Sequence, residues 1–267
     1  MASLLGEAAR RIRESGSRAV LGCEAAAAHP HVNVCQFNDN RYTIGYAFGK
    51  PVPAYAHVFH EYANNFMGNA CMLQGLFGTA ENPDSVLARI AYSFAAGDAL
   101  AVVMRENGLI QWCWTVGWDV PPPNQERILA LIRNLTWWRK GLARDFLVYG
   151  RRLKTPRLAD PPMRVIHAID GRDAWLDAVQ VSAWRAPDGR EAVIFANGHP
   201  EPQAVEWPLP DGCGGALVTG PGPDGGAAGR IPFGSDGSAC LRFTVPALSA
   251  VAAFLEGRAG WRLAAGG

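Results

Sequence analysis

Apolar positions change their period along this chain, and the change divides it. Leu4, Leu5, Ala8, Ala9 and Ile12 fall on one side of a helical wheel, with Arg10, Arg11, Arg13 and Glu14 elsewhere. That spacing predicts an amphipathic helix over 3–15, stopped by Gly16-Ser17. Arg18 to Gly22 reads as a short buried strand, and Cys23-Glu24 follows at once. Helix, tight turn, buried strand, then a carboxylate is the rhythm of a parallel α/β unit. Residues 25–50 are polar and aromatic with little period, and they read as a long loop. Pro53 to Phe59 reads as a second buried strand that ends in His60-Glu61-Tyr62. Residues 63–82 read as loop again. Pro83-Asp84 opens a helix carrying Val86, Leu87, Ile90 and Ala91. The run from Ile90 to Met104 is open between helix and strand, because Gly97-Asp98 interrupts it. Ile128, Leu131, Ile132 and Leu135 predict a helix over 124–139.

Beyond this point helices give way to short alternating runs. Pro156, Pro161 and Pro162 mark a linker. Ala178–Trp184 and Glu191–Ala196 read as the two strands of a hairpin, joined by the turn Ala186-Pro187-Asp188-Gly189. Further strands are expected at 241–245 and 249–255, with Gly- and Pro-rich turns between. The fold class expected is α/β plus all-β: late strands of a partial (β/α) TIM-type barrel, followed by a small antiparallel β-sandwich. The expected boundaries are 1–155 for the barrel part, 156–162 for the linker, 163–258 for the sandwich and 259–267 for a tail.

Composition narrows the partners. The chain has 267 residues and a formal net charge of +1 from 25 basic and 24 acidic side chains, so no strong field attracts nucleic acid or an anionic membrane. No run of apolar residues is long enough to span a bilayer. No signal-peptide core is present, which leaves the compartment undetermined, with cytoplasmic as the default. Six cysteines occur without a Cys-x-x-Cys pair, and His29, His31, His57 and His60 match no zinc spacing, so neither metal nor cofactor is expected. Cys213 and Cys240 are open between a bridge and two thiols. Nine tryptophans suit either core packing or the faces of sugar rings, which are neutral partners. Trp112, Trp114 and Trp118 alternate, so on a strand they share one side.

In a (β/α) barrel, catalytic groups follow the strands at their C-terminal ends. Glu24 holds such a place, and glycoside hydrolysis requires carboxylates facing the scissile bond. Glu24 is read as a catalytic carboxylate, acid/base rather than nucleophile; the alternative is a structural pair with Arg41. Asp39, Arg41, His60, Glu61, Tyr62 and Trp114 are read as sugar-binding side chains.

The stretch Gly22-Cys23-Glu24, then Asn38-Asp39-Asn40-Arg41, then His60-Glu61-Tyr62-Ala63-Asn64-Asn65-Phe66-Met67-Gly68-Asn69 resembles the late barrel of a bacterial glycoside-hydrolase-like family. The hairpin at 183–190 with Ile194-Phe195-Ala196-Asn197 is similar to the sandwich that follows such barrels. The resemblance implies hydrolysis of O-glycosidic bonds. One departure stands out: where relatives often carry a second acid before a proline, this chain has Ala28-His29-Pro30. A complete barrel takes about 250 residues, and roughly 150 precede the linker here. The expectation is a C-terminal fragment, a split gene or a genuinely reduced barrel, with carbohydrate as partner, a missing N-terminal barrel half as a candidate second partner, and poor activity for the chain alone. A non-catalytic carbohydrate-binding or structural remnant is the other reading.

Overall fold

The computed structural model describes residues 2–23, 35, 37–39, 52–67, 84–112, 122–167, 173–209, 213–220, 229–233 and 240–256. Helix α1 (Ala2–Glu14) forms as the periodicity requires. Its polar side is tied by Arg10–Glu7, Arg10–Glu14 and Arg11–Glu7 pairs at 2.5–2.8 Å, exposed contacts that contribute tenths of a kcal/mol each. Strand β1 is only Gly22–Cys23; residues 18–20, expected in it, are exposed and unpaired with any strand. β1 pairs in parallel with β2 (Phe37–Asp39), and β2 pairs in parallel with β3 (Asn64–Phe66).

Two of those strands correct the sequence reading. Residues 37–39 and 64–66 lie in stretches read as loops, while the expected strand at 53–59 is helix α2 (Ala54–Phe59). The run Ala-Tyr-Ala-His-Val-Phe is short enough to satisfy either period. Pro53 starts the helix, and the His57 N–H donates to the Pro53 carbonyl at 2.9 Å. Short strands of three residues give too few alternations to announce themselves.

Helix α3 (Asp84–Ala95) is buried along nearly its whole length, which explains why its pattern blurs into the next segment. The chain then turns at Gly97 and makes a parallel bridge from Ala99 to Phe66. A fourth parallel neighbour thus follows α3. Helix α4 (Pro122–Lys140) buries Ile128, Leu131, Leu135 and Trp138, and α5 (Arg144–Leu147) buries Phe146 and Leu147.

The β part consists of β4 (Arg151–Leu153), β5 (Met163–His167), β6 (Asp173–Asp177), β7 (Val179–Arg185), β8 (Glu191–Asn197), β9 (Gln203–Pro208), β10 (Gly214–Thr219), β11 (Arg230–Phe233), β12 (Cys240–Val245) and β13 (Ser249–Glu256). Six of them form a sheet in the order β11-β10-β13-β8-β7-β4, all antiparallel. β9–β12 and β5–β6 form two separate pairs. Along β8, Ala192, Ile194 and Ala196 join one apolar cluster and Val193 and Phe195 another. The first cluster is shared with α3, α4 and α5; the second includes Val205, Trp207 and Val245 of the β9–β12 pair. The central sheet is therefore covered on both faces, which is why β8 and β13 read as continuous apolar runs.

β4, inside the span assigned to the barrel part, is an edge strand of the large sheet, and one core runs across the proline segment. Prolines remove regular structure; they do not by themselves make two halves independent.

The β5–β6 hairpin is fastened to α3. Its inner residues Ile166, Ala174 and Leu176 pack with Ala88 and Tyr92. Arg164, 4% exposed in its side chain, pairs with Asp84 at 3.0 Å and also donates to the Asp84 carbonyl. Burial lowers the Arg164 pKa, yet the ion stays charged beside its carboxylate. Removing one partner of a buried pair leaves the other uncompensated. Asp84→Ala is expected to lower unfolding free energy by about 3 kcal/mol, measured by urea denaturation. A change within 0.5 kcal/mol, the size of an ordinary surface effect, refutes this role.

Candidate functional site

The parallel strands point the same way, so Cys23, Asp39 and Phe66 stand at one edge of the small sheet, their C-terminal edge. Glu24 follows Cys23 in the chain. Glu24, Arg41 and Trp114 lie outside the described residues, as does the Ala28-His29-Pro30 departure; of Asp39, the strand position is described.

His60, Glu61 and Tyr62 are placed elsewhere. They follow α2 and precede β3, so they lie toward the opposite, N-terminal edge of the sheet. They thus stand apart from Cys23 and Phe66, which end their strands at the other edge. Tyr62 is 70% exposed. Glu61 forms an exposed ion pair with Arg151 at 3.8 Å, of little energetic weight.

His60 is a packing residue at the junction of the two halves. Its ring lies 4.7 Å from that of Trp184, edge to face, and fills the space over Gly97. Among the described residues, neither ring nitrogen makes a hydrogen bond of good geometry. Burial, helped by the positive charges of Arg139 and Arg152, pushes its pKa down to about 4, with a weaker opposing pull from the Leu147 carbonyl. His60 is neutral at physiological pH. Arg152 sits on the other side, its guanidinium 5.7 Å from the Trp184 ring centre and donating to the Ala95 carbonyl at 3.1 Å. That bond caps the end of α3. Trp112 is also core, and of the Trp137-Trp138 pair Trp138 is buried while Trp137 is partly exposed.

The sheet holds a polar row that sequence reading missed. Register places Cys23 beside Asn38 and Asn38 beside Asn65. The Ala99–Phe66 bridge places Asp98 beside Asn65. Neighbours in register share a face, so four polar residues cross four strands on one side. Asn38, Asn65 and Asp98 are buried. The Cys23 thiol donates to Asn38 Oδ1 at 2.8 Å. From α2, the Tyr55 hydroxyl faces this side; its pKa is pushed up to about 12 by burial first, then by Cys23, Asp98 and Cys35. Among the described residues, Asn38 Nδ2, both polar atoms of the Asn65 amide and the Tyr55 hydroxyl have no hydrogen-bond partner. No periodicity could have announced this row, because its members are 15 or more residues apart and one pairing arises from a single bridge.

Among the described residues, the opposite face is partly uncovered. Phe37 and Phe66 stack there, ring centres 4.3 Å apart and planes 6° from parallel, and Phe37 is 43% exposed. Among the described residues, the sheet thus covers its polar side and exposes its aromatic one.

Comparison of this fold with solved structures finds similar architectures among glycosidases. An α-amylase from Geobacillus thermoleovorans, solved with acarbose, superposes with a TM-score of 0.53 at 14% identity, covering 97% of this chain and 58% of that one. A maltogenic α-amylase from Thermotoga neapolitana gives 0.53 at 14%, covering 96% and 59%. The chain has a glycosidase-like fold. It spans less than two thirds of the length of these enzymes, and its mixed α/β architecture with antiparallel sheets matches the C-terminal portion of glycosidases; among the described residues no closed barrel is seen. No family model matches the chain, and no curated protein matches it.

Proposed function

We propose that this chain is the late-barrel and sandwich portion of a glycoside hydrolase-like protein acting on O-glycosidic bonds. One observation carries the reading: four parallel neighbours share a sheet whose face, uncovered among the described residues, bears the Phe37–Phe66 stack. In a (β/α) barrel that inner face is filled by side chains of the remaining strands, and an incomplete set leaves it open. The amylase-like fold supports the same conclusion.

Glu24 is the proposed acid/base carboxylate, because it follows β1 at the edge where barrel enzymes keep their chemistry. Asp39 and Arg41 are the proposed contacts to sugar hydroxyls. His60, Glu61 and Tyr62 drop out of the site, and the second carboxylate the reaction needs is proposed to come from the strands that complete the sheet. Those strands are the proposed partner.

The test is turnover of a panel of aryl glycosides by the full 267-residue chain. Weak turnover is expected, because the cleft is incomplete, and Glu24→Gln is expected to lower it by about 100-fold or more with the melting temperature unchanged. Equal turnover in the variant refutes the assignment of Glu24. Saccharide binding without any turnover would instead favour a non-catalytic remnant.

A further inference from the structure

We propose that the seam between the α/β half and the large sheet is a second saccharide-binding site, separate from the Glu24 edge, with Trp175 as its stacking platform. The class of ligand rests on the glycosidase-like reading; the place rests on the geometry alone.

A cavity of about 440 Å³ opens at this seam. Pro156, Pro161 and Val179 supply apolar wall, while Tyr92, Arg152, Asp177 and Gln180 supply polar groups. Proline fixes φ, so the wall made by the 155–161 segment is preformed and binding need not order it. Arg152 is held in place by the Ala95 carbonyl and the Trp184 ring. Gln180 Nε2 donates to the Asp177 carbonyl at 2.7 Å, which orients the amide and leaves its oxygen to accept from a ligand.

The hairpin beside the cavity has the complementary feature. Along β6, Ala174 and Leu176 face the core, so Asp173, Trp175 and Asp177 face outward. Trp175 is 63% exposed, and Met163, opposite Asp177, is exposed as well. Asp177 both ends this outward row and lines the cavity, one strand repeat, about 7 Å, from Trp175. An exposed indole therefore stands one strand repeat from Asp177, at the margin of a cleft of mixed donors and acceptors.

This combination fits a pyranose chain. A sugar ring offers an apolar C–H face to an indole and a rim of hydroxyls that both donate and accept. Carboxylate, amide and guanidinium groups meet that rim without imposing a large net charge, since Asp177 offsets one of the two lining arginines, Arg152 and Arg157. The cavity volume is within the range of small-molecule sites.

Maltotetraose and raffinose are the probes, titrated calorimetrically into the full chain. At least one is expected to bind. Trp175→Ala is expected to weaken that binding about tenfold, the size of an aromatic anchor's loss. Thr155→Trp, which fills the cavity, is expected to abolish it, while Trp137→Ala, remote from the seam, leaves it intact. Melting temperatures of the variants separate lost binding from lost folding; Trp175, being exposed, can be removed without a core cavity. Failure of both probes to bind, or unchanged affinity in Trp175→Ala, overturns the inference. Glu24→Gln discriminates the two proposals: it is expected to leave seam binding unchanged. Binding that depends on Trp175 in a chain without turnover supports the seam site and counts only against the hydrolytic reading.

Discussion

Gly97→Ala is expected to destabilise this protein by about 4 kcal/mol, a large share of the 5–15 kcal/mol that holds most domains folded. Two costs combine. Gly97 has φ +90, where an L side chain is strained by about 1–2 kcal/mol. A Cβ there also lands 2.5 Å from His60 Cε1 and 2.8 Å from Trp184 Cη2, and neither ring can retreat. Trp184 is fully buried, and His60 is held between Trp184 and the turn. Overpacking of this kind adds about 1–3 kcal/mol. The turn ends α3 and starts the Ala99 bridge, so the loss should appear as a single cooperative shift in urea unfolding. Gly108→Ala serves as the comparison: it has φ +79 but open space around its Cβ, so it isolates the backbone strain. Equal losses in the two variants would show that the His60–Trp184 contact imposes no steric limit.

Acidification is expected to unfold the protein partly through His60. Its pKa is near 4 in the folded chain and about 6.5 when unfolded. Above pH 6.5 the ring is neutral in both states, and stability is at its full value. Below that, the unfolded chain takes up the proton first, so stability falls as pH drops from 6.5 toward 4. The total from this one group is about 3 kcal/mol. Other groups titrate in the same range, His199 among them, whose pKa is also lowered, chiefly by burial. The informative quantity is therefore the difference between wild type and His60→Gln. The variant is expected to be less stable at pH 8, from lost packing, and to lose less on going to pH 4.5. Parallel curves for the two proteins contradict a buried neutral His60.

These two residues also show where sequence reading stops. His60 follows the apolar run 53–59, which reads as a strand and so places it at a strand end. Seven residues of mixed aromatic and aliphatic character carry no decisive period, and the helix that forms there reverses the direction in which His60 faces the sheet. The polar row of Cys23, Asn38, Asn65 and Asp98 was illegible for a different cause: each member is ordinary in its own stretch, and only strand register makes them neighbours.

What the sequence determined by itself was local. It specified α1 and the heart of α4 through their 3.6-residue period, the β7–β8 hairpin through alternation around Pro187-Asp188-Gly189, and the change from helical to strand character near the prolines. Each of these is encoded by residues within one element or one turn of it. The tertiary structure decided the rest: that 54–59 is helix, that β4 belongs to the large sheet, that one core crosses the proline segment, and that Tyr92 and Gln180 line one cleft. Such features depend on contacts between residues far apart in the chain, whose burial and pairing override weak local preference. A short segment has too few side chains to express a period, so its partner, not its own sequence, selects its conformation.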